Sequence, residues 1–490
     1  PETIKTKHTF NFLNMTHKGK KTKIVATLGP ACNNKKIIKK MIKAGVNVFR
    51  INFSHADYAV VTSNVKIIRE LNKELDYNVA VLADLQGPKL RVGVMKSDVI
   101  LNADDAFTFT TNPCEGTQEK AFMTYQHFPQ DVKPGEHILV DDGKLLFEVV
   151  STNGGDEVVT KVLRGGPLNS KKGVNLPNTN ISQPALTEKD IKDALFAISL
   201  EVDWIALSFV RTADDLDLLN KLIADNSEYK IPVIAKIEKP EAILNINKIT
   251  SHCDALMVAR GDLGVEIPME EVPLIQKMLV AKAKKARIPV IIATQMMETM
   301  IENQVPTRAE VNDVANSIMD GADAVMLSGE TSVGKYPLEV IKKMRSIIEK
   351  VENSALIKMD TDAFTTINDR FITKTICHQA SIMSDNIDIA AINTLTNSGY
   401  TAFHISARRP HAHILVFSSN RRIMAMLNLL WGVKAFYYEK MTSTDATIID
   451  INNIAKEKGY IASGDYTISL TSMPIQSKGM VNTLRLTEID

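Results

Sequence analysis

Short apolar runs that end in polar or ionisable residues recur along the chain. They are Ile24 to Thr27, Val46 to Phe53, Val79 to Leu85, Val202 to Phe209, Pro232 to Glu238, Ala255 to Asp262, Pro289 to Thr294 and Asp323 to Glu330. Continuous Val/Ile/Ala/Leu runs of this length predict strands buried on both faces. Helical spacing fills most of the gaps. Ile37, Ile38, Met41 and Ile42 share one face ahead of Gly45, which suits a left-handed C-cap. Thr187 and Asp190 are spaced as a capping box for a helix through Ile191, Leu195 and Ile198. Leu274, Met278 and Leu279 mark another helix, as do Val311, Val314, Ala315 and Ile318. Strand then helix, eight times, predicts an α/β fold, the (β/α)8 TIM barrel.

One interval breaks the rhythm. The third run starts at Val79 and the fourth at Val202, a gap too long for a loop, which predicts an inserted domain. Its segments DAFTFTT, HILVDDGKLLFEVV and DEVVTKVL are β-like, with Asp142-Gly143 as a hairpin turn. The insert is placed at 89–178 between glycine- and proline-bearing hinges, leaving 21–88 and 179–350 for the barrel. A helical stretch from Ile367 to Ile387 and the runs IAAINTLT, HILVFSS, VKAFYYE, TISLTSM and NTLRLTEI predict a C-terminal α/β domain over 351–490. Residues 1–20 are read as a leader segment.

Composition narrows the function classes. With 58 Lys+Arg against 57 Asp+Glu, the net charge of +1 argues against a protein that coats nucleic acid or an anionic membrane. No apolar run reaches the length of a membrane span, and the first twenty residues lack a secretory apolar stretch. Cys32, Cys114, Cys253 and Cys377 are scattered without CxxC spacing, so reduced thiols in a cytoplasmic protein are expected, with neither zinc nor a disulfide framework.

In such barrels the active site forms at the C-terminal ends of the strands. There stand Arg50, Asn52 and Ser54, then Asp84, then Lys236 and Glu238, Arg260 and Asp262, Thr294, and finally Ser328 and Glu330. Glu238 and Asp262 come from adjacent strands with no cysteine or histidine nearby, and oxygen-only ligation suits Mg²⁺ or Mn²⁺. The alternative is a pair of ion-pairing acids, since Lys236, Lys239 and Arg260 are close. ARGDLG opens a turn whose backbone amides near Gly261, Asp262 and Leu263 can favour an anion, although it is also an ordinary Asp-Gly turn. Arg50 and Lys236 beside a divalent cation form a site able to neutralise a phosphoryl group in transfer. GxxxxGK[ST] is absent, so a nucleotide would be held across the cleft between barrel and insert.

KTKIVATLGPA, NVFRINFSH, ADLQGPKLR, KKGVNLP, SFVR, IAKIEKPEAI, MVARGDLGVEIP, ATQMMETMI, PTRAEVNDVANSIMDGADAVMLSGET and KYPLEVI together resemble pyruvate kinase, nearly continuously over about residues 20 to 350. The resemblance implies a barrel, a lid inserted after the third strand and a regulatory α/β domain. It also implies the last step of glycolysis, transfer of the phosphoryl group of phosphoenolpyruvate to ADP, giving ATP and pyruvate. By this resemblance Glu238 and Asp262 ligate Mg²⁺, Lys236 stabilises the migrating phosphoryl, and Arg50 holds the substrate phosphate. Gly261, Asp262 and Thr294 bind the carboxylate. Thr294 also lies on the proton path, which Ser328 and Glu330 extend through water. Arg91, Lys172 and His55 fit the nucleotide side, although His55 can equally be read as a capping or core histidine. The family also implies a cytoplasmic homotetramer.

Two stretches depart from the family or match it loosely. Members that require K⁺ carry Thr-Lys-Gly-Pro-Glu where this chain has Leu85-Gln86-Gly87-Pro88-Lys89. Asn52, Ser54, Asp84 and Leu85 occupy the K⁺ site positions, but Lys89 stands at the glutamate position, which implies activity without K⁺. LTNSGYTA resembles the effector-phosphate loop, with Thr396, Asn397, Ser398, Gly399 and Thr401 as candidates, or else is a plain helix cap. PIQSKGMVNTLRL lacks the Trp- and Gly-rich loop that closes over fructose 1,6-bisphosphate in members using that activator. Two other readings are a metal-dependent barrel lyase acting on pyruvate or phosphoenolpyruvate and a non-catalytic sensor that keeps the fold.

Overall fold

The computed structural model describes residues 19–354, 370–440, 442–473 and 480–490. Eight parallel strands close into a barrel: Lys23–Thr27, Val48–Asn52, Ala80–Asp84, Trp204–Leu207, Val233–Ile237, Ala255–Ala259, Val290–Ala293 and Ala324–Leu327. Each pairs with its neighbours in sequence, and Lys23 meets Ala324 where the last strand joins the first. The strand period of two sends alternate residues inward. Val25, Val48, Leu82, Trp204, Ile234, Met257 and Ile291 fill the interior, while the other set packs under the helices. Trp204 is fully buried and donates its indole N–H to the Met426 carbonyl at 3.1 Å, so the C-terminal domain stoppers the floor of the barrel.

Local chemistry sets the helix ends. Gly45, at φ 127°, sends its N–H to the carbonyls of Met41 and Ile42 and closes the helix Lys35–Ala44. The capping box of Thr187 and Asp190 forms, and the other oxygen of Asp190 accepts the Gly87 N–H at 3.0 Å. Periodicity located helices better than their inner faces. Leu274 is 69% exposed, and Ile191 and Leu195 are also exposed. Asp190, Ala194, Ala197 and Ile198 face inward instead, because small side chains let that helix lie close to the strands.

Between the third and fourth barrel strands the chain builds a six-stranded sheet from Ala106–Thr110, Lys120–Phe122, His137–Val140, Leu145–Thr152, Glu157–Arg164 and Val174–Asn175. Phe107, Phe109 and Phe147 pack at its centre. The expected hairpin turn is there, with Asp141, Asp142 and Gly143 all at positive φ. The C-terminal sheet has Ile389–Leu395, His413–Ser418, Val433–Tyr437 and Tyr466–Thr471 parallel and Thr483–Glu488 antiparallel at one edge. The helix expected from Ile367 runs over Phe371–Asn386, and residues 367–369 lie outside the described ones.

Residues 1–18 of the expected leader, and the PIQSKG part of the C-terminal segment, also lie outside the described residues. Lys20, at the end of that leader, is buried with its ammonium on Asn47, and the Lys21 N–H donates to Glu352 at 2.7 Å. All four cysteines are free, and among the described residues no helix is long and apolar enough to cross a membrane.

Candidate active site

The fifth barrel strand carries the centre of the site. Lys236 and Glu238, two residues apart, both turn toward the barrel axis, one at the strand's end and one just beyond it. Lys236 Nζ lies 2.6 Å from Ser208 Oγ, 3.0 Å from Glu238 Oε1 and 3.2 Å from Asp84 Oδ1. Burial alone would discharge this amine, but Asp84 and Glu238 outweigh it and hold the ammonium above its ordinary value. Arg50 donates from Nε to Asp84 Oδ2 at 2.6 Å and from a terminal nitrogen to Thr27 Oγ1 at 3.1 Å. Burial would lift the Asp84 carboxyl, and the two cations bring it below the usual carboxylate range. Asp84 thus fixes both Arg50 and Lys236.

The sixth strand runs directly into a helix, Arg260–Glu266, rather than the expected turn, so Asp262 sits in a first helical turn. Thr294, at the end of the seventh strand, has φ 70°, an unusual conformation for a β-branched residue. Its Oγ1 accepts the Gly261 N–H at 2.7 Å and donates to the Ala293 carbonyl at 2.5 Å. Its own carbonyl accepts from Arg260 at 2.8 Å. Arg260 also pairs with Asp313 at 2.6 Å, so it braces Thr294 rather than adding a free charge to the mouth.

Glu238 is fully buried, with Oε2 accepting the Phe209 N–H at 2.7 Å. Burial, with the charge of Asp262 adding to it, pushes its carboxyl up to about 7 against the pull of Lys236. Oε1 lies close to Lys236 but has no well-directed hydrogen bond. A buried, under-satisfied carboxylate beside a second carboxylate fits a hard divalent cation. Among the described residues no cluster of three or more acidic, imidazole or thiol groups could hold a metal, so water and substrate oxygens would complete the shell. Lys239 is committed to Glu266 at 2.7 Å, and Arg260 to Asp313, which narrows the ion-pair alternative to Lys236.

Other expected residues are less free than the sequence suggested. Glu330 is buried, which raises its carboxyl; its oxygens accept the N–H groups of Met297 at 3.2 Å and Ser328 at 2.6 Å. This ties the loop after the seventh strand to the loop after the eighth. Strand register sets Asn52 beside Asp84, but the Asn52 side chain accepts from the Ser54 N–H and the Leu85 carbonyl from Ser208 Oγ. On the lid, Arg91 bridges to Gly173, next to Lys172, whose ammonium is 2.9 Å from Asp141 Oδ1 and lowers that carboxyl. His55 is exposed at the end of a short 3-10 turn, not in the core. Lys89 is exposed beside a cavity of about 60 Å³ that Asn175, Lys239, Asp262 and Glu266 also line, and it makes no ion pair among the described residues.

In the C-terminal domain, Thr401 is buried against Thr394 at 2.9 Å, and Thr396 Oγ1 accepts the Gly399 N–H at 3.0 Å. These three candidates therefore do not form an open phosphate cradle. Asn397 and Ser398 do line a cleft of about 1090 Å³ between the barrel floor and the C-terminal domain, with Arg69, Tyr229, Arg421 and Arg422. That cleft is larger, but the ionisable groups converge at the barrel mouth. Sequence reading missed Ser208, Thr27 and Phe209 as supports, since a serine, a threonine and a backbone amide carry no signal of their own.

Comparison with known proteins gives a consistent picture. Residues 19–341 match the pyruvate kinase barrel-domain family and residues 374–487 the pyruvate kinase alpha/beta-domain family. A pyruvate kinase of Mycobacterium tuberculosis is 41% identical over 476 residues, covering 97% of this chain and 99% of the relative. Pyruvate kinase 2 of Synechocystis is 43% identical over 454 residues, covering 92% of this chain and 76% of the relative. A crystal structure of a pyruvate kinase from Cryptosporidium parvum superposes with a TM-score of 0.90 at 32% identity, covering 96% of each chain.

Proposed function

The chain belongs to the pyruvate kinase family of phosphotransferases, and from that premise we propose how its residues divide the reaction. Phosphoenolpyruvate and ADP meet at the barrel mouth. Arg50, fixed by Asp84 and Thr27, grips the substrate phosphate, and Lys236 lies along the path of the migrating phosphoryl group. A β-phosphate oxygen of ADP attacks the phosphorus as the bond to the enol oxygen breaks, leaving an enolate. Lys236, charged and dry, offsets the negative charge that develops on the phosphoryl and enol oxygens. Glu238 and Asp262 would hold Mg²⁺ or Mn²⁺, which supplies charge neutralisation and alignment of the oxygens. Gly261 and Thr294 border the carboxylate end. For the Thr294 hydroxyl to pass a proton to the methylene carbon, it must leave the Ala293 carbonyl. Glu330 serves here as a positioning residue for the loops after the seventh and eighth strands.

The observation that carries this reading is the single ammonium of Lys236 held among Ser208, Asp84 and Glu238 at the mouth end of one barrel strand. A coupled assay of pyruvate formation from phosphoenolpyruvate and ADP with Mg²⁺ tests it, and absence of turnover would refute it.

Finer features are part of the same proposal. The ammonium of Lys89 supplies charge that K⁺ would otherwise bring, so the enzyme works without K⁺. Lys172, Arg91 and His55 face the nucleotide as the lid closes. A phosphorylated effector enters the cleft that Asn397 and Ser398 share with Arg421. The domains divide as 21–88 with 179–350, 89–178 and 351–490, and the enzyme is a cytoplasmic homotetramer.

A further inference from the structure

Glu266 ends the same helix whose first turn carries Asp262. Its side chain is fully buried, and one oxygen, Oε1, takes two donors: Lys239 Nζ at 2.7 Å and Asn175 Nδ2 at 2.8 Å. Oε2 is buried with no hydrogen-bond partner, so these two contacts alone orient the carboxylate. The donors come from separate parts of the molecule. Lys239 directly follows Glu238, and Asn175 belongs to the lid, in the strand Val174–Asn175 that pairs with Leu139–Val140. One oxygen atom therefore joins the segment bearing Glu238, the helix bearing Asp262 and the return strand of the lid.

We propose that Glu266 is a positioning residue that transmits the position of the lid to the Glu238–Asp262 pair, with Asn175 as the strut between them. Two features support this. The helix Arg260–Glu266 has only seven residues, so a displacement at its end reaches Asp262 little more than one turn away. The carboxylate end of the contact is buried, and a hydrogen bond to a buried carboxylate depends steeply on distance and angle. Movement of the lid about its hinge shifts Asn175, changes the pull on Glu266 and adjusts the spacing of the two metal-binding carboxylates. The cleft thus couples nucleotide entry to metal affinity. This rests on the assignment of Glu238 and Asp262 as ligands of the divalent cation.

The test is a coupling experiment on the full chain. Mn²⁺ affinity is read by water-proton relaxation without nucleotide, and the KM for ADP by steady-state kinetics. Asn175→Ala is expected to weaken both about fivefold, a part of the roughly ten- to hundredfold that one hydrogen bond to a charged group is worth. The same substitution is then made in a Lys239→Met/Glu266→Leu background, which removes the receiver without leaving a buried charge unpaired. There it is expected to change neither reading. Equal effects in the two backgrounds, or an unaltered Mn²⁺ affinity in Asn175→Ala alone, would overturn the proposal. If the double background does not fold, Glu266→Asp replaces it, and the Asn175→Ala effect should shrink by at least half. Glu238→Gln and Asp262→Asn separate the two layers: if both bind Mn²⁺ as the natural chain does, the metal assignment fails. If they lose it and the coupling is absent, only the strut fails.

Discussion

Lys236 Nζ stands 3.0 Å from Oε1 of Glu238, the residue two places further along the same chain. The pairing follows from strand geometry, since residues two apart share a face and both here face the barrel axis. A third group, Asp84 Oδ1, lies 3.2 Å from the same amine on the third strand. The ammonium is therefore held in its charged form by two carboxylates.

Lys236→Met should lower kcat by about a thousandfold or more, because the charge it supplies in the transition state has no substitute in a dry site. Mn²⁺ affinity should hold within a few-fold, since Glu238 and Asp262 remain. Steady-state kinetics and water-proton relaxation on the same preparation check both. Turnover that survives the change would remove Lys236 from the mechanism.

The carboxyl of Glu238, raised to about 7 without metal, makes cation binding depend on pH. The sign follows from linkage. A carboxyl raised on folding holds its proton in the folded state while the unfolded chain has lost it. Its contribution to stability is therefore present below the unfolded value and is lost as pH rises through about 7. A divalent cation binds the deprotonated form and offsets that loss. The rise in Tm on adding Mg²⁺ should therefore grow between pH 6 and 8, with a proton released on binding in the lower part of the range. Glu238→Gln should flatten the trend. Melting curves with and without Mg²⁺ across that range decide it.

Lys89 reaches the barrel–lid cleft without an ion-pair partner among the described residues, while at the positions proposed for K⁺ Asp84 Oδ2, the Asn52 side chain and the Leu85 carbonyl each accept from a neighbour. Activity in tetramethylammonium buffer should match that in K⁺ within about twofold. Lys89→Glu should lose most of its activity without K⁺ and recover it when K⁺ is added. Strong activation of the natural chain by K⁺ would contradict the substitution of a tethered ammonium for a free cation.

Residues that break an apolar run at a strand end were legible in the sequence, because nothing in the packing of a barrel requires a lysine or a glutamate there. Lys236, Glu238 and Asp84 were found that way. Direction was not legible. Arg260 reads as another charge at the mouth, but the helix it begins turns its guanidinium toward Asp313 and the Thr294 carbonyl. The resemblance of LTNSGYTA to the effector-phosphate loop implies Thr401 as a phosphate contact, yet packing turns its hydroxyl toward Thr394. The eight barrel units were visible because each strand is apolar on both faces. The inner faces of some helices were not, since Ala194 and Ala197 pack inward while the longer Ile191 and Leu195 stay exposed.

Glu330 allows two readings that one substitution separates. In a proton relay its carboxyl would exchange protons with water near Ser328. In the structure both oxygens instead accept backbone N–H groups, from Met297 and Ser328, and the side chain is buried. Glu330→Gln keeps the shape but turns an NH₂ group toward one of those amides, setting donor against donor. An unsatisfied buried donor costs about 1–3 kcal/mol. The melting temperature should therefore fall by several degrees, while kcat per folded molecule and its solvent isotope effect stay near the natural values. The opposite pattern, an unchanged melting temperature with a lower kcat and an altered isotope effect, would return Glu330 to the proton path. Either way Ser328 is informative. Its N–H is held by Glu330, so Ser328→Ala should leave stability almost untouched, and any loss of turnover there reports on the hydroxyl itself.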